Sequence, residues 1–113
     1  MAVTIYHNPR CTKSRETLAL LEKKGHKPRV IEYLKTPPSA AEIKNIARML
    51  GMSVRDFVRT ADARDAGIDP VEMDEKDLIA AMVRNPIIIE RPIVVSNGKA
   101  AIGRPPENVL KIL

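Results

Sequence analysis

Tryptophan is absent, and only three aromatic side chains, Tyr6, Tyr33 and Phe57, are scattered along the chain. That leaves no set of stacking platforms of the kind single-stranded nucleic acid requires. Long apolar runs are missing too. The longest, Leu78 to Val83, has six residues, far short of the roughly 20 that a membrane span needs. The opening Met-Ala-Val-Thr-Ile-Tyr lacks the basic-then-apolar layout of a signal peptide, so a cytoplasmic protein with no membrane partner is expected. There is a single cysteine, Cys11. It has no internal disulfide partner and cannot build a thiolate-rich metal site, so redox chemistry at Cys11 needs a thiol from outside.

What is present fits one domain spanning residues 1–113: a 44% hydrophobic and 29% charged composition of the soluble globular type. The formal charge of +5 is unevenly spread. Residues 62–77 hold seven acids and two bases, a local −5, while residues 1–61 carry +7 and 78–113 carry +3. The acidic stretch reads as a solvated loop and helix start, with no paired histidine and no calcium-loop spacing, so no metal is expected there. A basic protein invites nucleic acid as a partner. Without a helix-turn-helix or zinc motif, and with the charge not gathered on one helix, none is expected.

Val3 and Ile5 alternate with Thr4 and Tyr6, which predicts a strand over residues 2–6. Asn8-Pro9 then predicts a loop, and a helix follows from Thr12 with Leu18, Leu20 and Leu21 inward and Gly25 as its stop. Residues 30–34 read as a second strand, making a parallel β-α-β unit. Ser39 and Glu42 form a capping box for a helix bearing Ile43, Ile46, Ala47 and Leu50. Ser53 and Asp56 open a shorter helix, and another begins near Asp74 with Leu78, Ile79, Met82 and Val83 inward. Ile93 to Val95 is a strand, Asn97-Gly98 a tight hairpin turn, and residues 99–102 its return. A last helix follows Pro105-Pro106, carrying Val109, Leu110 and Leu113. The order predicts an α/β fold with a four-stranded mixed sheet, flanking helices, and a helical insertion over about residues 39–85 between strands 2 and 3.

Cys11 falls at the start of the first helix, where unpaired N–H groups and the macrodipole favour a thiolate. Arg10, Lys13 and Arg15 surround it, and His7 precedes it on the same loop. A free cysteine is often just a small buried hydrophobe; the flanking Pro9, Arg10 and Lys13 argue against burial here. Ser14 makes a Cys-x-x-Ser: its hydroxyl can donate to the thiolate but cannot resolve a mixed disulfide, and an ordinary first-turn serine would look the same. Arg59, Arg91 and Arg104 lie at element ends, where planar guanidinium groups suit tetrahedral oxyanions. His26, beside the glycine that ends the first helix, reads as surface.

Residues 6–15, Tyr-His-Asn-Pro-Arg-Cys-Thr-Lys-Ser-Arg, with Arg91-Pro92-Ile93-Val94 and Gly103-Arg104-Pro105-Pro106-Glu107, resemble the glutaredoxin-linked arsenate reductase family of the thioredoxin superfamily. The resemblance spans essentially the whole chain. It implies a thioredoxin-like fold, with Pro92 a cis proline facing the cysteine. It implies Cys11 as the nucleophile toward arsenate or a similar oxyanion, His7 and Ser14 as thiolate-activating residues, and Arg59, Arg91 and Arg104 as oxyanion-holding residues. Arsenic detoxification would follow, with no bound cofactor, glutathione as co-substrate and glutaredoxin as partner. Two other readings stand beside it. One is a glutathione-dependent thiol oxidoreductase with another substrate. The other is a thioredoxin-fold transcription regulator, for which the Cys-x-x-Cys switch is missing.

Overall fold

The computed structural model describes residues 2–113, which divide into two compact units, one of residues up to 36 together with 91–113 and one of residues 37–90. The first unit is built on a four-stranded sheet: β1 (Val3–His7), β2 (Arg29–Glu32), β3 (Ile93–Ser96) and β4 (Lys99–Ile102) in the order β2-β1-β3-β4. β1 and β2 run parallel, with His7 opposite Glu32, and β1–β3 and β3–β4 are antiparallel. This is the four-stranded mixed sheet that the element order predicts, in the thioredoxin-like arrangement that the resemblance implies. Asn97 and Gly98 both take positive φ at the hairpin, the backbone that a two-residue type I′ turn requires. Helix α1 (Thr12–Lys23) connects β1 to β2. Leu21 of α1 joins Val3, Ile5, Val94 and Val109 in a buried cluster flanked by Leu18, Ala101, Ile112 and Leu113.

Several local expectations change in this unit. The second strand stops at Glu32, because the Glu32 carbonyl accepts the N–H groups of Lys35 and Thr36 and turns the chain out before Pro37. Leu20 is only half-buried; the inner face of α1 is instead Ser14, Thr17 and Leu21. Polar residues are tolerated there because their hydroxyls find partners, Thr17 donating to Lys13 O at 2.7 Å. The last helix is a 3-10 segment, Pro106–Ile112, which packs on β4 and α1 with Val109 inward. His26 is half-buried rather than fully exposed.

The second unit is helical: α2 (Ala40–Leu50), a 3-10 turn (Val54–Phe57), α3 (Thr60–Asp65), α4 (Glu75–Arg84) and a second 3-10 turn (Pro86–Ile88). The Ser39–Glu42 box caps α2 in both directions, and Ser53 with Asp56 does the same for the first 3-10 turn. Ile43, Ile46, Phe57, Leu78, Ile79 and Met82 are among its buried residues. An antiparallel bridge between Val58 and Ile89 closes the unit on itself. Helix α3, which runs into the stretch read as loop, has no side-chain cap and buries only Ala63, so neither capping nor periodicity announces it. The acids do serve as helix starts where expected: Asp74 caps α4 by accepting the Asp77 N–H at 2.8 Å. Arg55 pins the intervening loop by donating to the carbonyls of Pro70 and Met73. No helix among the described residues is long and apolar enough to cross a membrane.

Candidate active site

Strand β1 delivers the chain to a short loop that builds the site. Asn8 organises it: its side-chain oxygen accepts the Arg10 N–H at 3.0 Å, and its carbonyl accepts the Cys11 N–H at 3.0 Å. This Asx turn sets Cys11 as the N-cap of α1 in extended conformation. Asn8 itself is buried, a structural contribution that Asn-Pro spacing shows only as turn chemistry. Helix α1 has no acidic residue in its first turn, so the positive end of its dipole is left for the half-buried thiol of Cys11. Arg15 ties the loop to the helix, donating to Pro9 O at 3.1 Å and to Thr12 Oγ1 at 3.3 Å.

Arg91 and Arg104 come to this thiol from the other end of the sequence. Arg104 donates through Nε to Arg91 O at 2.9 Å and through Nη2 to Cys11 Sγ at 3.4 Å. The Arg91-Pro92 bond is cis, as the resemblance implies, and Arg104-Pro105 is cis as well. Burial pushes the Cys11 thiol up, but the Ser14 backbone N–H, the Arg91 side chain and the charges of Arg104 and Arg91 outweigh it and hold the thiol below its ordinary value.

His7 and Ser14 form a buried pair beneath the loop. His7 Nδ1 lies 2.6 Å from Ser14 Oγ, which also accepts the Asn8 N–H at 3.0 Å. Burial lowers the His7 pKa; Glu32 raises it, Arg15 lowers it, and the net direction is down. The neutral ring is therefore favoured. Because the Ser14 oxygen already accepts the Asn8 N–H, its hydroxyl proton is available to His7 Nδ1 when that nitrogen carries the lone pair. The backbone N–H of Ser14 is the part of that residue that stabilises the thiolate.

The structure thus gathers His7, Cys11, Ser14, Arg91 and Arg104. Arg59 belongs to the helical unit, where its Nε meets Asp62 Oδ2 at 2.6 Å and its Nη1 meets Glu90 Oε1 at 3.1 Å. Burial lowers its pKa, but those two carboxylates outweigh it and keep the guanidinium charged. Lys13 pairs with Glu16 along the exposed face of α1. Among the described residues no group of histidines, cysteines and acids could hold a metal ion.

The model of the ArsC family matches residues 6–112. A protein of Haemophilus influenzae named arsenate reductase is 47% identical, with both chains covered in full. The uncharacterized protein YfgD of Escherichia coli strain K12 is 51% identical over 98% of this chain and 96% of its own. Among solved structures, the arsenate reductase from Vibrio cholerae superposes with a TM-score of 0.90 at 50% identity, over 100% of this chain and 98% of that one.

Proposed function

The chain belongs to the ArsC family, and on that premise we propose that it reduces arsenate to arsenite at Cys11, with glutathione as reductant and glutaredoxin as the protein that recycles the mixed disulfide. The observation that carries the reading is the approach of Arg104 Nη2 to within 3.4 Å of Cys11 Sγ, at the uncapped end of α1. A thiolate and a guanidinium side by side supply a nucleophile and a receptor for an oxyanion at one point.

In the proposed reaction the Cys11 thiolate bonds to arsenic, and one arsenate oxygen leaves as water. Arsenic then gains two electrons and leaves as arsenite, while a glutathione sulfur becomes bonded to the Cys11 sulfur. A second glutathione displaces Cys11 from that mixed disulfide, with glutaredoxin assisting. Over the cycle, arsenate and two glutathiones become arsenite, one glutathione disulfide and water. Arg91 and Arg104 offset the charge of arsenate as it meets the thiolate. His7 acts at one remove, by holding Ser14 and hence the first turn of α1. The oxyanion-holding role of Arg59 rests on the family resemblance. The requirement for outside thiols follows from there being one cysteine in the chain.

A coupled assay with glutathione and glutaredoxin, offering arsenate and separately a small disulfide, tests the proposal. Arsenate-dependent glutathione oxidation is expected from the native protein and not from Cys11→Ser. Turnover of the disulfide alone would replace arsenate with another substrate, and arsenate reduction surviving in Cys11→Ser would remove the chemistry from this cysteine.

A further inference from the structure

Gly25, Gly51, Gly67 and Gly98 take positive φ and have open space where a side chain would be. Gly103 differs on both counts. It needs no left-handed backbone, yet a Cβ there would lie 2.5 Å from Thr17 Oγ1, 2.8 Å from Pro92 Cγ and 3.1 Å from Thr17 Cγ2. The strand-end backbone at Gly103 is therefore wedged between α1 on one side and the Arg91-Pro92 segment on the other.

Each wall of that wedge is fixed. Thr17 is fully buried and its hydroxyl is tied to Lys13 O, in the first turn after Cys11. Pro92 O accepts the Gly103 N–H at 2.9 Å. The next residue is Arg104, whose guanidinium spans Arg91 O and Cys11 Sγ. We propose that Gly103 is a positioning residue for the active-site thiol: the hydrogen atom it carries in place of a side chain lets Arg104 come within reach of Cys11 Sγ, with Thr17 as the stop that sets the distance.

This inference rests on the reading of Cys11 as the working nucleophile, but its test needs no arsenate. The fraction of Cys11 present as thiolate is followed by ultraviolet absorbance against pH in Gly103→Ala, Arg104→Ala and the double variant. Relieving a 2.5 Å contact to ordinary van der Waals distance moves the 103–104 backbone by about 1 Å. At a pH below the native midpoint, the weaker guanidinium–sulfur attraction, taken at the dielectric of water for this exposed pair, lowers the thiolate fraction by about 1.6-fold. In the Arg104→Ala background the same glycine substitution is expected to change nothing further, because the effect acts through that guanidinium. Thr17→Ala removes the stop instead of pushing on it. It lets the 103–104 backbone settle closer to α1, so it is expected to shift the thiolate fraction in the opposite sense, upward and by a smaller factor, again only when Arg104 is present, and it carries the test if Gly103→Ala does not fold. A native thiolate profile in both Gly103→Ala and Thr17→Ala, or shifts of equal size with and without Arg104, overturns the proposal. Failure of arsenate turnover alone would leave it standing and strike only the substrate.

Discussion

Replacing Arg104 with alanine removes the guanidinium that approaches Cys11 Sγ at 3.4 Å. Coulomb's law at that separation gives about 1.2 kcal/mol at the dielectric of water and about 5 kcal/mol at an effective value near 20. Arg104 is exposed and Cys11 only half-buried, so the water-like figure applies. It corresponds to a loss of about eightfold in thiolate at a pH well below the native midpoint. Thiolate fraction is not the whole rate, because a thiolate freed from a stabilising cation is intrinsically more nucleophilic. With a Brønsted slope of about 0.4–0.5 the gain per thiolate is about two- to threefold. Alkylation by a neutral reagent, followed across pH, should then show crossing profiles: Arg104→Ala about threefold slower at low pH and about two- to threefold faster on the alkaline plateau. At a separation well inside a Debye length of about 10 Å, moderate salt should leave the shift largely intact. Superimposable profiles, or a uniform drop at every pH, would refute the reasoning.

The other perturbations are simpler. The folded pKa of His7 lies below its ordinary value, so the unfolded chain binds its proton more readily, and stability is lost as pH falls from about 6.5 toward the folded value. His7→Gln is expected to flatten that part of the curve of denaturation midpoint against pH, and an unchanged slope would show that the ring is not titrating abnormally. Leu78 in α4 is fully buried, and Leu78→Ala should cost about 2–5 kcal/mol in urea unfolding; a loss under about 1 kcal/mol would mean the helical unit is not held by that packing.

The parts of the fold legible in the chain are those whose determinants are local. The Ser39–Glu42 box, the Asn97-Gly98 turn and the alternation in β1 need only a few neighbouring residues, and each appears where its spacing places it. The end of β2 depends on which carbonyl the following turn claims, and α3 starts at Arg59, whose donor-only side chain cannot cap a helix N-terminus and instead meets Asp62 and Glu90. The thiol half of the site could be read at Cys11 because helix start, charge and loop adjoin it in sequence. What could not be read is that Ser14 and Thr17 turn inward, since polar side chains bury only when folding brings them partners. Nor could the distance between Cys11 and Arg104, 93 positions apart, be read from spacing.

Cys11 is the N-cap of α1, and this bears on the balance between its thiolate and a disulfide. The Ser14 N–H, the helix end and two arginines favour a negatively charged sulfur, whereas a disulfide there is neutral and forgoes that attraction. Whatever stabilises the thiolate also makes it the better leaving group, so exchange with external thiols is tilted toward the free form. On the proposed reaction, a sulfur in this position favours the free thiolate over the mixed disulfide.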